Sequence, residues 1–138
     1  MMERDDFFKN ELVQELRYAS NQMRKDLSVE KKIFYFSAAY GITSRTFRYS
    51  FSKDVLLADL VCTQVYQMLQ ARFVQLGGMD VGGQLEKKLG KLCDELTALA
   101  DRFESGDSIL EPIENILTIG YSTTGNGLYL EERGDLKL

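Results

Sequence analysis

Apolar positions recur at steps of three and four over five stretches of the chain, the period of helices that bury one stripe. In residues 6–26, Phe8, Leu12, Leu16 (or Ala19), Met23 and Leu27 mark one face, and Glu11, Glu15, Arg17, Arg24 and Lys25 fall largely on the others. Asp5 or Asp6 is the expected N-cap, at the positive end of the helix dipole. Ser28 caps a second predicted helix over residues 28–49, and Ser52 begins a third that reaches about residue 76. The third carries a broad stripe of Leu57, Leu60, Val61, Val65, Met68, Leu69 and Leu76, with Gln64 and Arg72 on or beside it. Paired glycines, Gly77-Gly78 and Gly82-Gly83, flank Met79-Asp80-Val81 and break the chain there. Residues 84–104 hold the cleanest seam, with Leu85, Leu89, Leu92, Leu96, Leu99 and Phe103 alternating steps of four and three, as antiparallel helices pack at a shallow angle. Asp107 or Ser108, with Glu111 in the first turn, starts a short fifth helix through residue 117.

These elements predict an all-α fold: an antiparallel up-and-down four-helix bundle with a short fifth helix, occupying residues 1–117. Residues 118–138 read differently. Two β-prone segments flank Gly125-Asn126-Gly127, which predicts a C-terminal hairpin or extended tail. An isolated hairpin is marginal in water, so this segment is expected to pack on the bundle or on a partner. If the third and fourth helices form a hairpin centred on Asp80, Cys62 faces Ala98. Its axial offset from Cys93 is then roughly 7–8 Å at 1.5 Å per residue, too far for an easy disulfide. Free thiols are expected.

Composition narrows the chemistry. Histidine and tryptophan are absent and Pro112 is the one proline. Without histidine there is no Ser-His-Asp or Cys-His triad and no imidazole ligand. Two cysteines cannot complete a zinc site, and they read as small buried residues of a reducing compartment. The acidic start MMERDDFFKN is not a secretory signal. The longest apolar-rich run, residues 33–42, falls short of the ~20 residues a membrane span needs, so no membrane role and a cytoplasmic location are expected. The net charge of −4 is unevenly spread. Residues 1–53 hold ten Lys/Arg against seven Asp/Glu, and residues 54–138 hold seven against fourteen. Such asymmetry suits a partner or a second copy.

Several groups are candidates for function. On the second helix Ser37, Gly41 and Ser44 form a row of small residues that would admit a neighbouring backbone, unless the helix simply breaks near Gly41. Phe34, Phe36, Tyr40 and Phe47 stand around this row. Residues 45–51 combine Arg45 and Arg48 with Phe47, Tyr49 and Phe51, a composition attractive to single-stranded nucleic acid. A pI of about 4.9 argues against that partner, and arginines also complement a helix C-terminus. The carboxylates Asp101 with Glu104, Glu111 with Glu114, and Asp94 with Asp101 have the spacing for magnesium. Glu111-Pro112-Ile113-Glu114 resembles the E-x-x-E element of all-α nucleotide pyrophosphohydrolases, but no second acidic element stands out to face it, and solvated helix faces account for these acids. Asp59 is expected to pair with Arg45 or Arg48, and Tyr35, Tyr40, Asp59 and Tyr66 would line an organic-ligand pocket. Gly125-Asn126-Gly127 reads as a turn, because a phosphate loop leads into a helix and often carries a lysine.

The sequence therefore assigns no catalytic residue, no metal site and no cofactor. It points to a non-enzymatic interaction module that self-associates as a dimer, with an unidentified protein as a further possible partner. The residues expected to carry the contact are Ser37, Gly41, Ser44, Arg45, Arg48, Tyr49, Tyr121 and Tyr129. Nucleic-acid binding through residues 45–51 is one alternative. A carboxylate and magnesium-dependent nucleotide hydrolase, or a small-ligand-binding bundle, is the other.

Overall fold

The computed structural model describes residues 2–50, 52–79 and 83–136, with side chains from residue 7 onward. Phe51, Asp80 and Val81, to which the sequence assigns a ring in the core and the centre of a turn, lie outside the described residues. Six helices run in order: α1 (Met2–Met23), α2 (Val29–Ser50), α3 (Lys53–Gln75), α4 (Gln84–Ser105), α5 (Leu110–Tyr121) and α6 (Gly125–Arg133). Five match the predicted stretches within a few residues.

Their ends follow local chemistry. Ser28 accepts the Lys31 amide at 3.2 Å, and the Ser52 side chain accepts the Val55 amide. Each satisfies one of the orphan donors of a first turn. Gly106 closes α4 with φ 80° and its amide donated to the Arg102 carbonyl, the left-handed cap that glycine adopts without strain. Asp5 and Asp6 are not caps, because the backbone is already helical from Met2.

The core takes a stripe from each of the first five helices. Leu16, Phe36, Val65, Leu92, Leu96 and Ile116 are among its fully buried members. α1 packs on α2 and α4, and α2 packs on α3. Ladders of contacts run in opposite order along these pairs. Phe8 meets Tyr49 while Tyr18 meets Tyr35, and Arg17 meets Glu104 while Arg24 meets Asp94. α5 packs on both α3 and α4, whereas those two make little contact with each other. The expected direct pairing of α3 and α4 across Asp80 is therefore replaced by a shared neighbour. Gly120 makes the close seating of α5 on α3 possible, because a Cβ there would lie 2.6 Å from Val65 Cγ2. Cys62 and Cys93 are both buried and free, as expected.

The predicted hairpin or extended tail is corrected. No strand occurs among the described residues; α5 continues through position 117 to Tyr121, and α6 follows after a turn. The β-branched residues misled because they sit at helical spacing, with Ile113, Ile116 and Ile119 burying one face. Ser122, Thr123 and Thr124 donate their hydroxyls back to the carbonyls of Ile119, Gly120 and Tyr121 at 2.6, 2.7 and 2.7 Å. Those bonds satisfy the last carbonyls of α5. Thr124 then caps α6 by accepting the Gly127 amide at 3.0 Å. Gly127 starts α6 against the Tyr121 carbonyl, which any Cβ at this position would overlap.

Candidate functional site

The outer face of α1 and α2 carries most of the exposed aromatic surface. Tyr18 meets Tyr35 edge-on at 6.3 Å and Phe34 meets Tyr35 at 5.3 Å, with Lys31 Nζ 5.2 Å from the Phe34 ring centre. Towards the other end Phe8 stacks on Tyr49 at 5.1 Å, and Phe7 meets Phe8 edge-on at 5.3 Å. Phe7, Tyr18 and Phe34 are nonetheless 59%, 56% and 58% exposed. Between the two clusters the guanidinium of Arg45 bridges to both carboxylate oxygens of Glu15 at 3.0 and 3.1 Å.

Phe34, Gly41 and Arg48 follow one another at seven-residue steps along this face, and Ser37 and Ser44 flank Gly41. α2 runs unbroken through Gly41. A Cβ added at Gly41 meets nothing within 4 Å, so no element of this chain uses the close approach that the small residues permit. Ser37 donates its hydroxyl to the Phe34 carbonyl within its own helix. Of residues 45–51, Arg45 is engaged by Glu15 and Tyr49 by Phe8, while Arg48 is exposed.

The carboxylate pairs face arginines instead of one another. Arg17 clamps Asp101 at 2.9 Å and both oxygens of Glu104 at 3.0 Å. These hydrogen bonds hold the Glu104 carboxyl below its ordinary range and raise the Arg17 guanidinium. Arg24 takes Asp94 at 3.3 Å, and Arg102 lies 3.8 Å from Glu111. Among the described residues no cluster of three or more Cys, Asp or Glu is arranged to hold a metal ion, and no helix is long and apolar enough to cross a membrane.

The tyrosine group divides. Tyr40 and Tyr66 pack at 5.1 Å, with the Tyr66 hydroxyl accepting from Gln70, but Tyr35 turns towards Tyr18 on α1. Asp59 accepts from Thr43 at 3.2 Å, not from Arg45 or Arg48. It also adds to the burial that pushes the Cys62 thiol up to about 12. Tyr121 lies at the α5–α6 turn, its hydroxyl accepting from Asn126. Tyr129 is exposed on α6, under the Arg133 guanidinium at 5.5 Å. The structure thus gathers Ser37, Gly41, Ser44, Arg45, Arg48 and Tyr49 on α2 and leaves Tyr121 and Tyr129 on the C-terminal helices.

Two polar devices were not singled out from the sequence. Lys88 is 8% exposed and donates to the Ser122 carbonyl at 2.9 Å and to Glu131 at 3.3 Å, tying the α5–α6 turn to α4. Its place three residues after Leu85, on the leucine seam, was the available signal. The other joins α1 to α4. Ser20 donates to the Cys93 carbonyl at 3.0 Å, Cys93 Sγ donates to the Ser20 carbonyl at 3.0 Å, and Arg24 donates to Ser20 Oγ at 2.7 Å. Ser20 follows Ala19 in the buried stripe of α1, but its partner on another helix left no local trace. Comparison with protein-family models, with curated proteins and with solved structures finds no match for this chain.

Proposed function

We propose that this chain is a cytoplasmic, non-enzymatic interaction module whose working form is a weak dimer, paired through the outer face of α1 and α2. The observation that carries the reading is the exposure of Phe7, Tyr18 and Phe34 on one face, each by more than half. Clustered exposed aromatics mark partner surfaces. A second copy is the occupant that suits the geometry, because a two-fold contact needs one self-complementary patch. Here the open row at Gly41 lies on the same helix as the protruding Phe34 ring that would cross it. The reading takes the first four helices as an antiparallel up-and-down set, supported by the opposed contact ladders, with α5 and α6 packed against it.

The magnitude favours a transient complex. An aromatic side chain buries about 150–250 Å² when fully covered, so three half-exposed rings offer roughly 300 Å² per copy. Twice that area at about 25 cal/mol per Å² is ~15 kcal/mol gross, set against association costs of about 4–15 kcal/mol. Micromolar affinity is expected. Light scattering over about 1–100 µM should show mass rising towards a dimer. Tyr18→Ser with Phe34→Ser should return it to monomer. Gly41→Leu should do the same without loss of fold, since the monomer leaves that space open. A constant monomer mass across the range, or a dimer indifferent to Gly41→Leu, would overturn the reading.

A further inference from the structure

At one end of the helix stack, the starts of α1 and α3, the ends of α2 and α4 and the loop after α4 enclose a cavity of about 400 Å³. Leu12, Val55 and Phe103 give it apolar walls. Thr46 also lines it, 2% exposed, and its hydroxyl finds no hydrogen-bond partner among the described residues. That is unusual for a helical threonine. Thr43, one turn earlier, donates back to the carbonyls of Ala39 and Tyr40 at 2.9 Å. A buried hydroxyl without a partner is unfavourable unless something else supplies one.

A single water does not account for the space. The volume falls within the roughly 300–1,000 Å³ of small-ligand sites, and a water takes about 30 Å³. Filling the cavity with water would set a chain of waters against Leu12, Val55 and Phe103. The mouth is charge-balanced, with Lys9 and Arg102 against Asp54 and Asp107. Arg102 is already held by the Ser108 carbonyl at 2.8 Å, and Asp107 by the Ser105 hydroxyl at 2.9 Å. No net charge remains there to select an ion.

We propose that this cavity binds a small uncharged organic molecule, its apolar body against Leu12, Val55 and Phe103 and a carbonyl oxygen accepting the Thr46 hydroxyl proton. The site is independent of the α1–α2 outer face and does not require self-association.

The test is an amide NMR titration of the full chain with acetophenone, with ethylbenzene (similar in size, no acceptor) and with benzoate (charged). Acetophenone is expected to bind with the tightest affinity of the three and to shift the amides of Leu12, Val55 and Phe103. Thr46→Val should weaken acetophenone about five- to tenfold, leave ethylbenzene unchanged, and keep or raise the melting temperature of the free protein. Thr46→Ser, which keeps the hydroxyl, should hold acetophenone within about twofold. The proposal is overturned if none of the three shifts those amides, if benzoate binds better than acetophenone, or if Thr46→Ser loses as much affinity as Thr46→Val.

Discussion

Replacing Gly120 by alanine should destabilise the protein, although alanine is the better helix former. The new methyl would lie 2.6 and 2.8 Å from the two γ carbons of Val65 and 3.1 Å from its Cβ. Carbon pairs rest at about 3.5–4.0 Å, so roughly 1 Å of movement is required. Val65 is fully buried and β-branched, with one preferred χ1 in a helix, so its methyl groups cannot swing aside. Overpacking of this kind costs about 1–3 kcal/mol. Removing glycine returns up to ~1 kcal/mol, and less here, because Gly120 is the penultimate residue of α5. The net expectation is about 1–2 kcal/mol of lost stability, or roughly 3–8 °C in melting temperature. Gly90 is the control. It sits inside α4, exposed, with nothing within 4 Å of an added Cβ, so Gly90→Ala should gain about 0.5–1 kcal/mol. Urea unfolding followed by circular dichroism measures all of these, with Val65→Ala and the double variant completing a cycle. Val65→Ala alone should cost about 2 kcal/mol, and the double variant should recover at least ~1 kcal/mol relative to additivity. If Gly120→Ala stabilises as Gly90→Ala does, or if the cycle is additive, α5 is not seated on α3 in this way.

Lys88→Met should release α6. The Ser122 carbonyl loses its buried donor at a cost of about 1–3 kcal/mol, while the half-exposed partner Glu131 adds little. Amide hydrogen exchange over residues 124–134 should quicken markedly; unchanged protection would show that Lys88 does not hold the turn. Arg17→Gln tests the clamp on Glu104 through pH. The folded carboxyl is depressed, so its contribution is present above the unfolded value of about 4.3 and is lost as pH falls through the lower folded value. The melting difference between wild type and Arg17→Gln should be largest near neutrality and shrink in acid. A difference constant from neutral pH down to about pH 3 would refute the assignment.

What the sequence made legible was the helical period, because each stripe is a local pattern. Leu85 to Phe103 could be read without knowing what they touch, and Ser28 and Ser52 cap their own helices. The C-terminal segment was misread because Thr118, Ile119 and Thr123 favour strands in isolation, whereas their setting on a buried helical face decides the matter. Neighbour relations were less accessible. Nothing near Asp80 announces that α5 will contact both flanking helices, and Gly120 gained its meaning only when set against Val65. At the candidate face, Arg45 and Tyr49 belonged to a plausible binding segment by composition. Their engagement by Glu15 and Phe8 depends on residues more than thirty positions away, beyond the reach of any local motif.

The position of α5 also has a consequence for how the chain is made. It packs against α3 and α4 but follows both in the order of synthesis. A growing chain can bring α1, α2, α3 and α4 together as they leave the ribosome. Until α5 arrives, the flank of α3 around Val65 stays uncovered, and so does the side of α4 where Glu95 will meet Asn115. The core is closed last, by the helix translated after its neighbours. The nascent protein therefore passes through a period in which apolar surface is open to chaperones or to other unfinished copies.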